Sequence, residues 1–384
     1  MQGRERGFFP DPRKLFAALA LAAGLAAPAL ADESPATGAA APKTEIGQAQ
    51  GASYRIDVPA NWNGGLVLYF HGYMPVPATF AEGSPPPAPA PVFLSRGYAV
   101  AQSGYSAGGW AIDEALRETE ALRRHFAERY GKPKETWVTG HSLGGFLTLV
   151  LLETSPGDYD GGLALCGPLA PSSWFMARRV FDVRVVFDYL FPGLLPSPAD
   201  VPRDFQVDPA RVQKVLQALQ SNPEKAAEMR RYAGVRTDPE MASVAVFFTS
   251  ILADLQRRGG GNPFDNRGTL YQGTSDDIAL NRGVARYAGS DAAAEWLRKR
   301  YTVTGHLTKP VLAIATVYDP LIPAWVPDFY ATALDPGSDD LFLQRWVEHD
   351  GHCAISPEET GRGFDDLVRW KHSGTRPPHR PPEP

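Results

Sequence analysis

A serine lies at the centre of the pentapeptide Gly140-His141-Ser142-Leu143-Gly144, in a context that favours nucleophilic chemistry. The residues before it, 135–139, form a short apolar and β-branched run, and residues 145–153 have the pattern of a helix. A serine between a strand and a helix is held on a sharp turn with its hydroxyl above the sheet. Glycine is needed at both ends of the pentapeptide because a Cβ there would clash with a neighbouring strand or helix. The pattern therefore predicts Ser142 as a nucleophile.

Two further residues have the chemistry and the chain positions that activation of this serine requires. A nucleophilic serine needs a base that takes its proton and an acid that orients the base. Asp319 directly follows the apolar run 310–316, and His352 follows the run 341–347. Both residues then lie just after predicted strands, in the chain order Ser, Asp, His. We predict Asp319 as the acid and His352 as the base.

Neighbouring residues offer alternatives for both partners. His349 is the alternative base, but His352 is favoured because Gly351 lets the loop turn back toward the serine. Asp339 and Asp340 are the alternative acids, and the polar turn in which they lie is typical of a surface loop.

Two backbone N–H groups are predicted to stabilise the oxyanion that forms when the serine attacks a carbonyl group. One belongs to Leu143, directly after the nucleophile, and the other to Tyr73, in the loop that follows the run 65–70. Gly72 allows the backbone of that loop to approach a substrate. An ordinary strand-ending turn at 71–72 is the alternative interpretation.

The elements that must position these residues alternate between strands and helices. Strands are predicted at 65–70, 98–101, 135–139, 162–166, 310–315 and 341–347, and the runs 65–70 and 162–166 are apolar throughout, which is typical of buried strands. Helical patterns occur at 111–130, after Ser142 and at 357–371. This alternation predicts an α/β fold with a mostly parallel central sheet flanked by helices.

The alternation stops between the two parts of the predicted core, 45–168 and 309–372. The intervening segment, 169–308, is mostly helical in pattern, and both of its ends leave from the sheet edge where the serine is expected. We therefore predict a helical lid or cap, with an independent domain as the alternative. Aromatic residues of this segment that would suit contact with an aryl or acyl group are Trp174, Phe175, Phe181, Phe187, Tyr189, Phe191, Phe247 and Phe248.

The ends of the chain predict export. Residues 1–31 combine a basic start, an apolar run of about 16 residues and a small-x-small site, which is the pattern of a cleavable signal peptide. An uncleaved anchor is the alternative, although a spanning helix needs about 20 apolar residues. Residues 32–44 predict a flexible linker and residues 373–384 an unpacked proline-rich tail. We expect a periplasmic or secreted protein without stable membrane insertion.

Composition limits the partners of the chain. The 384 residues carry a formal net charge of −5, and no basic stripe indicates a surface for nucleic acid or anionic membrane. We therefore expect the partner to be a small-molecule substrate rather than nucleic acid or a membrane surface.

The combination of His71-Gly72, the serine pentapeptide, Asp319 and His352 resembles the α/β-hydrolase superfamily over about residues 50 to 372. The resemblance implies cleavage of an ester, thioester or amide through an acyl-serine intermediate, with no metal or organic cofactor. The chain also resembles secreted bacterial esterases and prolyl-oligopeptidase-like hydrolases, in the segments Gly109-Trp110-Ala111, Ser142-Leu143-Gly144-Gly145, Leu165-Cys166-Gly167-Pro168, Ala279-Leu280-Asn281-Arg282-Gly283 and Gly351-His352-Cys353.

A partial resemblance to tannases and feruloyl esterases concerns the two cysteines. Those enzymes join a cysteine beside the nucleophile to a cysteine after the catalytic histidine. Cys353 fits the second position, but His141 stands where the first cysteine should be. Cys166 ends the strand predicted beside that of Ser142, so a Cys166–Cys353 bridge would hold the histidine loop by another route. Two free buried thiols are the alternative.

These observations together predict a serine hydrolase, with a carboxylic ester as the favoured substrate. A serine peptidase of the prolyl-oligopeptidase-like type and a lipase or polyester depolymerase are the enzymatic alternatives. A binding protein that keeps the fold without catalysis is the alternative from a different class.

Overall fold

The computed structural model describes residues 41–379, and an eight-stranded sheet forms its centre. The strands are β1 (Lys43–Ala49), β2 (Ala52–Val58), β3 (Gly65–Phe70), β4 (Ala99–Ser103), β5 (Glu135–His141), β6 (Gly161–Leu165), β7 (Val311–Tyr318) and β8 (Phe342–Asp350). Their order in the sheet is β1-β2-β4-β3-β5-β6-β7-β8. β1 pairs antiparallel with β2, β2 pairs antiparallel with β4, and the strands from β4 to β8 in that order are parallel. The predicted mostly parallel sheet is confirmed.

Helices cover both faces of the sheet. They are α1 (Ala90–Leu94), α2 (Ile112–Tyr130), α3 (Leu143–Thr154), α4 (Ser172–Phe175), α5 (Asp182–Leu190), α6 (Pro209–Gln220), α7 (Pro223–Ala233), α8 (Asp238–Gly259), α9 (Asp277–Gly283), α10 (Asp291–Arg298), α11 (Trp325–Thr332) and α12 (Pro357–Ser373). A π-helical turn, Met176–Phe181, joins α4 to α5. α2 and α3 pack on one face, and α1 and α12 on the other, so the parallel strands are buried on both sides.

The segment 169–308 contains α4 to α10 in the structure. Its longest helix, α8, is buried over most of its length and begins at a capping box formed by Thr237 and Glu240. α8 packs against α5, α6, α7 and α10, so this segment has a helical core of its own beside the sheet.

The amino-terminal hairpin, β1 and β2, is an element that the apolar pattern did not predict. β2 is buried throughout, although it contains Arg55 and Asp57. These two side chains lie on one face of the strand and form a buried ion pair, with Arg55 Nε 2.7 Å from Asp57 Oδ2. The pair satisfies the polar groups internally, so the strand is buried without an apolar sequence.

The two ends of the described chain differ from the predicted boundaries. β1 begins at Lys43, inside the predicted linker 32–44. The tail is packed as far as Pro378, because Arg345 donates to the Pro378 carbonyl at 3.1 Å and Arg376 donates to the Phe342 carbonyl. The predicted signal peptide, most of the linker and the last five residues of the tail lie outside the described residues. Within 41–379, no helix has the length and apolar character needed to cross a membrane.

Candidate active site

Ser142 occupies a strained turn between β5 and α3. Its backbone has φ 57° and ψ −119°, a left-handed conformation that side chains other than glycine rarely adopt. A Cβ on Gly140 or on Gly144 would overlap the carbonyl oxygen of Phe70 on the neighbouring strand. The two glycines of the pentapeptide therefore let the turn pack against β3, as the sequence pattern predicted.

A chain of hydrogen bonds connects the three residues predicted to react. His352 Nε2 lies 2.9 Å from Ser142 Oγ, and His352 Nδ1 lies 2.7 Å from Asp319 Oδ2. With its proton on Nδ1, the imidazole donates to the carboxylate and accepts from the serine hydroxyl. The arrangement can transfer the hydroxyl proton to His352 while Asp319 fixes the orientation of the ring.

The alternative base and acids lie elsewhere. His349 is half exposed, and its Nε2 lies 3.1 Å from Glu359 Oε1. Asp339 and Asp340 are exposed in a short 3-10 helix that ends at Leu341. The structure thus brings Ser142, Asp319 and His352 together and leaves the alternatives away from the serine.

Asp319 is buried, with 4% of its surface exposed, and is held by backbone groups of its own loop. Its Oδ1 accepts hydrogen bonds from the N–H groups of Leu321 at 2.7 Å and Ile322 at 2.9 Å. The other oxygen remains for His352. Each acceptor thus has a defined partner, which fixes the carboxylate before any substrate binds.

A buried arginine of the π-helical turn holds the same loop from the other side. The guanidinium of Arg179 donates to the carbonyl oxygens of Leu321 at 3.1 Å, of Ala233 at 2.5 Å and of Pro320. Burial lowers the pKa of Arg179 to about 10, and the negative charge of Asp319 opposes this decrease. The group is therefore a cation at neutral pH. Sequence reasoning missed it, although an arginine pair inside the apolar segment 175–181 was a signal.

The Cys166–Cys353 disulfide is present, which confirms the hypothesised pairing. Cys166 directly follows β6, Cys353 directly follows His352, and their Cα atoms are 5.3 Å apart. Cys166 Sγ lies 3.3 Å from the backbone nitrogen of Ser142, whose N–H also donates to the Leu165 carbonyl at 2.9 Å. The bridge thus joins the histidine loop to the strand end beside the nucleophile.

His141, which occupies the position of the cysteine in the tannase pattern, lies beside the site. Its Nδ1 is 3.3 Å from the hydroxyl oxygen of Tyr69. Burial lowers the pKa of His141 to about 4, and repulsion by a protonated His352 contributes to the decrease. His141 is therefore neutral near pH 7 and adds no charge next to His352.

The two residues predicted as oxyanion donors, Leu143 and Tyr73, line the same cavity as Ser142. Leu143 opens α3, so its N–H belongs to the first helical turn and has no acceptor within the helix. Tyr73 follows Gly72, where a Cβ would lie 3.3 Å from the His141 carbonyl oxygen and 3.4 Å from Ser142 Cβ. The loop of Tyr73 therefore passes next to the nucleophile.

A narrow cavity of about 30 Å³ opens at the serine, and we call it the inner cavity. Side chains from the sheet edge and from the segment 169–308 line it together: Tyr73, Trp110, Ser142, Leu143, Pro168, Phe175, Met176, Phe247, Phe248, Ile251, Leu321, Ile322 and His352. Apart from the reacting groups, these side chains are mostly apolar. The cavity is suited to an apolar group attached to the carbon that the serine attacks.

Three of the eight aromatic residues singled out in the sequence, Phe175, Phe247 and Phe248, line the inner cavity. The others serve packing: Phe181 stacks on Phe264, Phe187 on Phe191, and Trp174 contacts Trp325 and Phe329. Tyr189 lies against Gly283, where a Cβ would clash with its ring.

Within 41–379, no group of three or more His, Cys, Asp or Glu side chains is placed to hold a metal ion.

The fold is that of an α/β-hydrolase. Its marks are the strand order, the serine on a turn between a strand and a helix, and the aspartate and histidine that follow β7 and β8. Residues 47–273 match the sequence model of the tannase-like family of unknown function (DUF6351). The match covers more than half of the chain, and the protein belongs to this family. Fold and family together support a hydrolase. No curated protein matches the chain.

Solved structures similar to the chain include three hydrolases. An acylaminoacyl peptidase from Pyrococcus horikoshii has a TM-score of 0.47 at 9% identity, over 86% of this chain and 41% of its own length. Feruloyl esterase B from Aspergillus oryzae has a TM-score of 0.45 at 14% identity, over 86% of this chain and 80% of the esterase. Est1E from Butyrivibrio proteoclasticus has a TM-score of 0.42 at 11% identity, over 86% of this chain and 99% of Est1E. The chain thus spans about two fifths of the length of that peptidase.

Proposed function

We propose that this protein is an exported serine hydrolase that cleaves carboxylic esters through an acyl-serine intermediate. The observation that carries the proposal is the hydrogen-bonded chain from Ser142 Oγ through His352 to Asp319, at the entrance of an apolar cavity. Nucleophile, base and orienting acid are within hydrogen-bond distance of one another before any substrate binds.

In the first half of the reaction, Ser142 Oγ attacks the ester carbonyl carbon while His352 Nε2 takes the hydroxyl proton. The N–H groups of Leu143 and Tyr73 donate to the oxyanion of the tetrahedral intermediate. When this intermediate collapses, the bond to the alcohol oxygen breaks and His352 gives its proton to the departing alcohol. Asp319 stabilises the imidazolium that exists between the two proton transfers.

In the second half, His352 takes a proton from water as the water oxygen attacks the acyl-serine carbonyl carbon. The second tetrahedral intermediate releases the carboxylic acid, and Ser142 Oγ regains the proton from His352. Ser142 and His352 thus end the reaction in the protonation states in which they began it.

The segment 169–308 is proposed to act as the lid of this site. Its support is that Met176, Phe247, Phe248 and Ile251 line the inner cavity together with the serine and the histidine. Apolar walls exclude water and favour an acyl group without charge.

Export is proposed from two observations. The Cys166–Cys353 disulfide is of the kind that persists in oxidising compartments, and residues 1–31 have the pattern of a cleavable signal peptide.

Hydrolysis of p-nitrophenyl esters, from acetate to palmitate, tests the proposed function. We expect the purified protein to turn over at least one of these esters, and Ser142→Ala to lose more than about 10³-fold in kcat. Exposed Ser221→Ala, at the end of α6, is the control for a serine outside the site. A folded wild-type protein that hydrolyses none of the esters, or a Ser142→Ala variant that keeps its activity, would contradict the proposal.

A further inference from the structure

A second, larger cavity lies behind one wall of the inner cavity. It has a volume of about 220 Å³, and we call it the outer cavity. The residues that line both cavities are Tyr73 and Phe247. Their rings meet edge to face, with centroids 5.5 Å apart and planes at 90°. This ring pair is the partition between the two spaces.

The partition separates an apolar space from a mixed one. The outer cavity combines apolar side chains such as Phe205 and Val207 with charged side chains such as Arg257, whereas the inner cavity is lined mostly by apolar groups. An acyl chain that extends from Ser142 toward the outer cavity meets the ring of Phe247 first. Burying the chain beyond that point requires the ring to move.

The backbone that carries Phe247 is held independently of its ring. Asp254, about two turns farther along α8, is buried and accepts a hydrogen bond from the backbone N–H of Trp110 at 2.8 Å. Arg258 donates to Asp254 at 3.2 Å and to the Gly108 carbonyl at 2.6 Å. These contacts fix α8 to the loop before α2, so replacing the ring of Phe247 leaves the helix in place.

We infer that Phe247 sets the acyl-chain limit of the enzyme and that its substrates are esters of short apolar acyl groups. This inference rests on the proposed function, because it takes Ser142 as the atom from which chain length is counted. Removing the ring joins the inner cavity of about 30 Å³ to the outer cavity of about 220 Å³. Phe247 is thus a specificity-determining residue rather than a part of the reaction chemistry.

The test compares kcat/KM for p-nitrophenyl esters with acyl chains of two to twelve carbons in the wild type, Phe247→Ala and Phe248→Ala. Phe248 is the matched control, since it is the same residue type on the same helix and lines the inner cavity without lining the outer one. We expect the wild type to prefer the shorter chains. Phe247→Ala gains about fourfold per added methylene group beyond the wild-type limit, which is about 250-fold over four groups.

Phe248→Ala is expected to leave the chain-length limit within one or two carbons of the wild type, because its side chain borders no larger space. Phe247→Leu, which keeps most of the packing, should shift the limit less than Phe247→Ala. An unchanged profile in a folded Phe247→Ala variant overturns the inference, and so does an equal shift in Phe248→Ala. If Ser142→Ala removes ester turnover while the Phe247 profile is unchanged, the chain-length inference alone fails.

Discussion

The loops that carry Asp319 and His352 lie at the same edge of the sheet but are held by different forces. The His352 loop is tied by the Cys166–Cys353 disulfide, which connects two parts of the sheet core. The Asp319 loop is held by Arg179, a buried cation that belongs to the segment 169–308. One attachment is covalent and carries no charge. The other consists of hydrogen bonds from an ion to backbone carbonyls.

The difference shows how the site depends on the two parts of the chain. The covalent attachment holds its loop wherever the protein is oxidised, whatever the helical segment does. The attachment through Arg179 requires the π-helical turn to be docked, because Arg179 also donates to the Ala233 carbonyl at the end of α7. The orientation of the acid is therefore coupled to the packing of the proposed lid, and the position of the base is not.

The largest effect is expected from Asp319→Asn, which removes the charge on the loop that Arg179 holds. The amide keeps the shape of the side chain but no longer stabilises an imidazolium or fixes the Nδ1 tautomer. We expect kcat to fall by about 10³ to 10⁴-fold for the best p-nitrophenyl ester. Asp340→Asn, on the exposed 3-10 helix, is the control. Equal activity of the Asp319→Asn variant and the wild type would rule out Asp319 as the acid.

Breaking the ionic attachment is the next test. Arg179→Met removes the donor to three backbone carbonyl groups, which loosens the Asp319 loop. We expect kcat to fall by about 10 to 10²-fold, with a smaller change in KM. Arg179→Lys keeps the charge and part of the hydrogen bonding, so it should recover some of the loss.

The neighbouring Arg178 supplies the matched control for this test. Its side chain is half exposed and pairs with Asp182 at 3.1 Å, away from the Asp319 loop. Arg178→Met should keep the kcat of the wild type. If both arginine variants lose the same activity, Arg179 acts through the stability of the segment and not through the position of Asp319.

The sequence could predict the covalently held side of the site better than the ionic side. Ser142, Asp319 and His352 each follow a strand that the sequence predicts, and parallel strands bring their carboxyl ends to one edge. The disulfide hypothesis combined this reasoning with the resemblance to the tannase cysteine pattern, because Cys353 fits that pattern and Cys166 directly follows the strand adjacent to β5. Local pattern and strand order were sufficient for Ser142, Asp319 and His352.

Arg179 and the β1–β2 hairpin could not be predicted in this way because both depend on buried charge. Arg55 and Asp57 interrupt the apolar pattern of β2, and their pairing becomes visible only once the strand is in the sheet. The partners of Arg179 are backbone carbonyls from two distant segments, which leave no signature in residue types. The places of Trp110 and Leu321 in the lining of the inner cavity could not be predicted either, because loops that are distant in the sequence meet there.

Breaking the covalent attachment should affect stability more than activity. In the double variant Cys166→Ser/Cys353→Ser, the loop between the two residues is no longer closed in the unfolded chain. The sequence separation is 187 residues, so we expect a loss of about 2–5 kcal/mol in the free energy of unfolding, measured by urea denaturation. The kcat of the folded variant should fall by less than about tenfold, because β8 still positions the loop.

Incubation of the wild type with a reductant provides the comparison for the double variant. It should lower the urea midpoint of the wild type toward that of the variant and leave the variant unchanged. An unaltered midpoint in the double variant would show that the bridge contributes nothing to stability, and the contrast between the two attachments would be lost.

The smallest effect is expected from the protonation of His141, which lies beside His352. Burial lowers the pKa of His141 from its usual value of about 6.5 to about 4, so the unfolded chain binds more protons than the folded protein between these pH values. Stability therefore falls as the pH decreases from 6.5 to 4, and His141 contributes at most about 3 kcal/mol to this decrease. His141→Gln, which does not titrate, should flatten the decrease in the free energy of unfolding measured between pH 7 and pH 4.

His349→Gln is the control for the His141 measurement, because that histidine is half exposed and pairs with Glu359 on α12. It should leave the slope below pH 6.5 close to that of the wild type. A His141→Gln variant with an undiminished slope would mean that His141 becomes protonated in the folded protein near its unperturbed pKa. In that case a second positive charge would face His352 as the pH falls, and the covalently held side would also depend on charge.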